Sequence, residues 1–368
     1  MLGSANVFTG QKNQGSLPEI ERKFLFIGIG ATGVNTVVSL NAQSDLDVAL
    51  GIADSEIKTQ ALAAQLNGGP TWEAWAVPIA LQGDWSAAVD LAMLSISPEA
   101  IVVCTPATTD TELNAFQAKA VALLNTYARH VFFLCATAGI DNTTQTWAAY
   151  ATAQDGITSG VAADRVSAVP QTHGNNLGVL AGRLCRRDVS IADSPMRVRT
   201  GAVVGLGTAP NDLFGDELGT ATLATLDASR LTVVQWYPDY PGVYFGDLNI
   251  LDVPGGDYQA GENLRVVLKA ARAIRLLAIP RIADRSLNST PISMALNKTY
   301  FMAPLRAMAK VTVFAGQQLP GEIKPPADTA IEIVWESNTS VKIYFSLTPY
   351  ESGKEINAYV FLDLSTPV

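Results

Sequence analysis

Strands and helices alternate in the predicted structure of the middle of the chain. Short apolar runs bounded by turn residues predict strands, and apolar residues at helical spacing predict helices. In chain order, the predicted strands and helices are 100–106, 110–128, 129–137, 143–157, 165–171 and 176–186. This βαβαβα order predicts an α/β domain with a parallel sheet covered by helices. The clearest βαβ pattern begins near residue 100.

The pattern changes after about residue 200, where glycine, proline and aspartate become frequent and indicate loops or a domain boundary. One strong helix is predicted at 262–280, where Pro280 stops it. A β-hairpin is predicted further on, because two runs of alternating apolar and polar residues flank a polar turn. The apolar positions of this hairpin are Ile331, Ile333, Trp335, Val341, Ile343 and Phe345.

Both ends of the chain are predicted to be extended arms. Residues 1–20 are mostly polar and contain the lone apolar pair Val7 and Phe8, so they cannot bury themselves against their own domain. Residues 356–365 alternate as a strand, whose apolar face comprises Ile356, Ala358, Val360, Leu362 and Leu364. Unpaired strand edges invite pairing with another chain. If each arm adds a strand to a neighbour's hairpin, the contacts are heterologous and propagate into rings or helical tubes.

The glycine-rich stretch FLFIGIGATGVNT offers a competing interpretation. Gly28, Gly30 and Gly33 have the spacing of a dinucleotide-binding fingerprint, and Asp54 follows at a suitable distance. These four residues would make the chain a Rossmann-type oxidoreductase that uses NAD or FAD. That fold needs a helix beginning at the last glycine, but the residues VNTVVS that follow favour strand or turn. We therefore prefer a turn that ends a strand, and the oxidoreductase remains the alternative.

Composition narrows the function classes. The 368 residues are 48% hydrophobic, which suffices for a packed core and suggests two or three domains. A net charge of −9 argues against nucleic-acid binding, and no apolar run is long enough to cross a bilayer. The N-terminus lacks the apolar core of a signal peptide. The three cysteines and two histidines form neither a zinc-binding pattern nor a hydrolase motif. We expect no metal site, no cofactor and no catalytic residue.

Four basic residues share one side of the predicted helix at 262–280. Arg265, Lys269, Arg272 and Arg275 spread over roughly a third of its circumference, at about 100° per residue. Two interpretations stay open. The residues form either a solvated helix face or a basic stripe that docks on an acidic partner.

Residues 240–285 resemble the core signature of contractile phage tail sheath proteins, in which a glycine- and tyrosine-rich stretch leads into a basic helix. Here the stretch reads YPGVYFGDLNILDVPGGDYQAGENLRVVLKAARAIRLLAIPRIADR. Residues 330–365 are similar to the C-terminal hairpin and terminal arm of the same family. The segments LNAQSDLDVALG, SPEAIVV and VSIADSPMRVRTG look like its short branch from tailed phages and prophages. The resemblance covers nearly the whole chain from about Glu21.

The resemblance implies a structural subunit, not an enzyme. Sheath subunits stack as hexameric rings in a helical tube around a tail tube, donate their arms to neighbours, and contract to drive the tube through the host envelope. The α/β domain is then subtilisin-like in topology but non-catalytic, and the basic helix faces the tube. Expected partners are further copies of the chain, the tail tube protein, and baseplate and tail-terminator proteins. The expected location is the phage tail of the virion, after assembly in the host bacterial cytoplasm.

The expected fold class is thus a parallel-sheet α/β domain followed by an α+β sheath domain, with an extended arm at each end. The expected divisions are an N-terminal arm (1–20), the α/β domain (21–230), the α+β sheath-core domain (231–350) and a C-terminal strand arm (351–368). Neither nucleic-acid binding nor direct membrane insertion is expected.

Overall fold

A six-stranded sheet forms the centre of the first half of the chain in the computed structural model, which describes residues 20–314 and 317–362. Its strands are β1 (Lys23–Ile29), β2 (Val38–Asn41), β3 (Glu73–Ile79), β4 (Ala100–Ala107), β5 (Phe132–Thr137) and β6 (Val166–Pro170). They lie in the order β2-β3-β1-β4-β5-β6, and every pairing is parallel except that of β2 with β3. The predicted parallel sheet is confirmed.

Six helices follow the strands of this sheet within residues 20–184. They are α1 (Leu46–Leu50), α2 (Glu56–Asn67), α3 (Trp85–Met93), α4 (Asp110–Tyr127), α5 (Trp147–Thr158) and α6 (Asn176–Leu184). Helix α4 shows how the local sequence sets the bounds of an element. Thr109 and Glu112 form a capping box at its N-terminus, and Ala128 ends it in the left-handed conformation with a φ of 52°.

The strand before the glycine turn forms as predicted, but it has a larger role than its sequence indicated. The clearest βαβ pattern begins near residue 100, whereas β1 is a central strand of the sheet that pairs with both β3 and β4. Phe24 to Ile27 are fully buried because helices cover both faces of a strand in this position. The prediction missed α2 because its sequence, EIKTQALAAQLN, has no clear apolar stripe.

The second half of the chain contains three separate two-stranded antiparallel sheets and three further helices within the described residues. The elements are α7 (Thr220–Ala228), β7 (Val234–Tyr237), β8 (Tyr240–Phe245), α8 (Gly261–Ala278), α9 (Pro291–Met308), β9 (Thr312–Phe314), β10 (Gln317–Leu319), β11 (Ile331–Trp335) and β12 (Val341–Phe345). Two short 3₁₀ turns lie at Val198–Thr200 and Ile279–Arg281. Helix α8 therefore gives way to a 3₁₀ turn at Pro280, close to its predicted end.

Helix α8 lies between two hydrophobic cores. Leu264 and Leu268 belong to the large core around the six-stranded sheet. Val266 and Ala270, on the opposite side of the helix, belong to a smaller core with α9, β11 and β12. Because both faces of α8 are packed, the helix joins the two parts of the chain.

The segment after β12 forms neither helix nor strand as far as residue 362. The strand predicted at 356–365 is therefore not formed within the described part of that range. An isolated strand has no backbone partner, so the alternating pattern alone cannot hold it in place. Val7, Phe8 and Leu364 lie outside the described residues. Among the described helices, none has the length and apolarity that crossing a bilayer requires.

Candidate assembly surfaces

The C-terminal hairpin forms as predicted, and its apolar residues share one face. β11 and β12 pair antiparallel, with Ile333 directly opposite Ile343. The other two apolar pairs are Ile331 with Phe345 and Trp335 with Val341. All six side chains belong to or pack against the smaller hydrophobic core. The polar residues between them point away from that core.

Both outer edges of the hairpin are unpaired within the described residues. Hydrogen bonds from Ser346 N–H to the Ala330 carbonyl (2.9 Å) and from Glu336 N–H to the Ser340 carbonyl (3.0 Å) fix the hydrogen-bonded positions of the ladder. These positions alternate with non-hydrogen-bonded pairs in an antiparallel ladder. The six apolar residues occupy the non-hydrogen-bonded pairs, so their own N–H and C=O groups point outwards, where another strand could bind.

A groove of about 1400 Å³ lies beside β12. The residues after α8 form one wall, and β12 with the preceding turn forms the other. Apolar side chains line it, including Ile274, Phe301 and Ile343. The buried Trp335 Nε1 has no hydrogen-bond partner in the part of the chain that the structure describes. The groove can therefore accept apolar side chains, and the Trp335 indole N–H is available to a hydrogen-bond acceptor.

The terminal segment is apolar and almost fully exposed. Ile356 is 84% exposed, Val360 97% and Leu362 82%, and Ala358 is exposed as well. Phe361, on the other side of the segment, is 87% exposed. A contiguous apolar segment of this kind marks an interaction site in a soluble protein.

The four basic residues of α8 do not form an exposed stripe, which corrects that prediction. Arg265 is 2% exposed and forms a bidentate ion pair with the fully buried Glu99 at 2.7 and 2.9 Å. Burial alone would raise the pKa of Glu99, but Arg265, Arg272 and the N–H of Arg22 together outweigh burial and hold the pKa below its usual value. Lys269 pairs with Glu322 at 2.6 Å.

Arg272 is also buried. Its guanidinium donates to Glu21 Oε1 at 2.6 Å and to the His130 carbonyl at 2.7 Å. Only Arg275, of the four basic residues predicted to form the stripe, has an exposed side chain. Sequence spacing placed the four charges on one side of the helix correctly, but the acidic partners come from distant parts of the chain.

The glycine-rich stretch is a packing feature. A Cβ on Gly28 would lie 2.6 Å from the Cys104 Cβ, and one on Gly30 would lie 3.0 Å from an Ile57 methyl group. The glycines therefore let β1 approach β4 and α2 closely. Gly33 has a φ of 68° and opens a turn into β2. No helix begins there, so the stretch lacks the helix N-terminus on which a dinucleotide pyrophosphate rests.

The two histidines are half-buried, and their pKa values are lowered. Burial and three nearby arginines lower the pKa of His130 to about 4. Burial also lowers the pKa of His173, whose Nδ1 lies 2.9 Å from the Thr172 hydroxyl. The three cysteines are buried and unpaired. Over residues 20–314 and 317–362, no cluster of three acidic, histidine or cysteine side chains could hold a metal ion.

The overall fold is that of sheath proteins from contractile systems. The chain matches a subunit in the contracted sheath complex of an extracellular contractile injection system, PVC, with a TM-score of 0.63, 11% identity and 99% of each chain covered. It also matches a chain in the baseplate of the anti-feeding prophage, with a TM-score of 0.59 and 12% identity, over 99% of this chain and 100% of that one. Identities this low establish the fold alone.

Sequence comparison establishes the family. The models of the DUF2586 N-terminal and C-terminal domains match residues 2–249 and 257–365, so the chain belongs to the DUF2586 family. A "putative tail sheath protein" of Haemophilus phage HP1 (strain HP1c1) is 43% identical over 373 residues, covering 100% of this chain and 99% of the relative. The resemblance to contractile phage tail sheath proteins is confirmed, and the chain is a structural sheath subunit.

Proposed function

We propose that this subunit stacks as hexameric rings in a helical tube around a tail tube, and that contraction of the sheath drives the tube through the host envelope. The observation that carries the proposal is the 43% identity, over the full length of the chain, to the "putative tail sheath protein" of Haemophilus phage HP1. The hairpin edges and the exposed apolar terminal segment support it, because neither has a strand partner among residues 20–314 and 317–362, and each could donate or accept a strand.

The C-terminal arm of one subunit adds to the hairpin of a neighbour. The β12 edge suits this addition best, because the groove beside it can accept the apolar side of the arm. Ile356, Ala358, Val360 and Leu362 would then enter the groove with Leu364. The N-terminal arm, with Val7 and Phe8, adds to a neighbour in the same way, and the β11 edge is available to it.

The remaining contacts follow from the resemblance. Arg275 is the candidate contact to an acidic tube protein, because its side chain is exposed on α8. The proposed α/β domain is subtilisin-like and non-catalytic and spans residues 21–230. The proposed sheath-core domain spans residues 231–350, between the arms at 1–20 and 351–368. Baseplate and tail-terminator proteins bind the two ends of the polymer. The protein acts in the phage tail of the virion, after assembly in the host bacterial cytoplasm.

Contraction is a repacking of rigid subunits. The extended sheath is kinetically trapped, and the contracted array has the lower free energy. Contacts to the tube must break during this change, which suits exposed charges because surface ion pairs are individually weak. Contacts between arms and hairpins must persist, which suits an added strand because its hydrogen bonds break only together.

Electron microscopy of purified protein tests the proposal. The full chain should form stacked rings or tubes. Variants that lack residues 1–20 or 356–368 should remain folded, as judged by circular dichroism and melting temperature, but should not polymerise. Normal polymerisation of both truncated chains would show that the arms are not the connections, and a wild-type chain that remains monomeric would contradict self-assembly.

A further inference from the structure

The described residues nearest both ends of the folded body are tied to the same helix. Near the first described residue, Glu21 contacts Arg272 of α8. In the described part of the C-terminal segment, Lys354 contacts Glu262 in the first turn of α8. The six-stranded sheet and the hairpin also pack against α8, so the helix contacts both hydrophobic cores as well as both terminal segments.

The N-terminal anchor is a buried ion pair. Glu21 and Arg272 have side chains only 9% and 10% exposed, and two guanidinium nitrogens of Arg272 donate to Glu21 Oε1, at 2.6 and 3.2 Å. The next residue strengthens the attachment. The N–H of Arg22 donates to Glu99 Oε2 at 2.5 Å, and Glu99 is itself paired with Arg265 of α8.

The C-terminal anchor is a single lysine between two carboxylates. Lys354 Nζ contacts Glu262 Oε1 at 2.7 Å and forms a second ion pair with Asp247. Burial would lower the pKa of Lys354, but Glu262 and Asp247 outweigh it and raise the pKa, so the lysine stays charged. From residue 355 onwards, every residue as far as 362 is exposed. The free part of the arm therefore begins directly after Lys354.

The two anchors are a fixed distance apart. Glu262 and Arg272 are ten positions apart on one continuous helix, which corresponds to about 15 Å at a rise of 1.5 Å per residue. The helix cannot bend freely because opposite faces of it are packed into different cores. We infer that α8 is a rigid strut that holds the roots of both arms at a fixed spacing and passes force from one arm to the other.

This inference rests on the proposed exchange of arms and adds a mechanical path to it. A subunit held at both ends by its neighbours is pulled at Glu21 and at Lys354. The two ion pairs are joined through the backbone of α8 between Glu262 and Arg272, so force that enters at one ion pair can pass along the helix to the other. Neighbouring subunits then keep a constant geometry of connection while the array repacks.

Spin-label distances on the full chain test the anchors without requiring a polymer. One label is placed at Ala295, on the exposed side of α9, and the other at Ser16 or at Asn357. The three native cysteines are buried and do not react with the label. The variant Lys354→Met should at least double the width of the Asn357 distance distribution and leave that of Ser16 unchanged. Glu21→Ala should do the reverse. Lys119→Met, which removes an ion pair with Asp90 between α4 and α3, should change neither.

The polymer supplies the second test. At temperatures where circular dichroism shows both variants to be folded, Lys354→Met and Glu21→Ala should still assemble through intact arms, but the tubes should lose long-range helical order. Lys119→Met tubes should match the wild type. Unchanged distance distributions, or tubes of wild-type order from both anchor variants, would overturn the strut. If the wild type forms no polymer, the proposed function fails, and the label distances still decide whether the roots are anchored.

Discussion

Replacing Arg265 by methionine tests whether the basic residues of α8 act inside the subunit. The Glu99 carboxylate has no exposed surface, and Arg265 supplies two of its hydrogen bonds, at 2.7 and 2.9 Å. The N–H of Arg22 supplies a third at 2.5 Å. Methionine has a similar length but no charge, so Arg265→Met leaves a buried carboxylate without its counter-ion.

The expected loss of stability is large. Removing one partner of a buried ion pair costs about 3–5 kcal/mol, because the remaining charge is desolvated and uncompensated. Replacing both partners, as in Glu99→Met with Arg265→Met, should recover most of this loss, because well-packed apolar residues often stabilise as well as the pair did. An exposed arginine on a solvated stripe would behave differently, since its removal changes stability by about 0.5 kcal/mol or less.

Urea unfolding followed by circular dichroism measures these differences, with Arg275→Met as the matched control on the same helix. We expect the midpoint of Arg265→Met to fall sharply, that of the double variant to recover, and that of Arg275→Met to stay at the wild-type value. An Arg265→Met midpoint equal to that of Arg275→Met would refute the buried role of Arg265.

Four further results are expected. Because the pKa of Glu99 is lowered in the fold, the ionised Glu99 stabilises the fold above pH 4.5, and this stability is lost as the pH falls through the lowered pKa. In urea unfolding at acid pH, the free energy of unfolding of Glu99→Gln should therefore fall less steeply with pH than that of the wild type. The pKa of His130 is lowered from 6.5 to about 4, so the fold favours the neutral imidazole and loses stability as the pH falls from 6.5 to 4. His130→Gln should make this loss of stability smaller. Gly28→Ala should lower stability by about 1–3 kcal/mol in the same assay, because the new methyl group would lie 2.6 Å from a cysteine Cβ on β4. Val360→Asp should leave the melting temperature unchanged yet raise the concentration needed for polymerisation at least tenfold, whereas Asn357→Asp on the opposite side of the arm should alter it far less.

The sequence predicted best those features that depend on neighbouring residues. The hairpin is an example, because Ile333 and Ile343 belong to two alternating runs joined by a short turn, and pairing follows from that local pattern. The limits of α8 were also predicted closely, since Pro280 and the apolar spacing are local signals.

Long-range pairings were outside the reach of sequence pattern. Arg265 and Glu99 are 166 residues apart, and Arg272 and Glu21 are 251 apart, so nothing near the helix indicated that its charges are paired. The central position of β1 was missed for the same reason, because it depends on which strands the crossovers bring beside it. In the C-terminal segment, the exposed alternation of Ile356, Val360 and Leu362 is a local signal, but it does not identify the surface that the segment binds.

Disulfide trapping between different chains tests the exchange of arms most directly. Tyr344→Cys places a thiol on β12 on the side away from the groove, where the native tyrosine is 54% exposed. Asn357→Cys, Tyr359→Cys or Phe361→Cys places one on the corresponding side of the arm. In mixtures of differently tagged chains under mild oxidation, at least one arm variant should form a mixed disulfide with the Tyr344→Cys chain. Polymers in which none of the three arm variants crosslinks to that chain would contradict strand addition at β12.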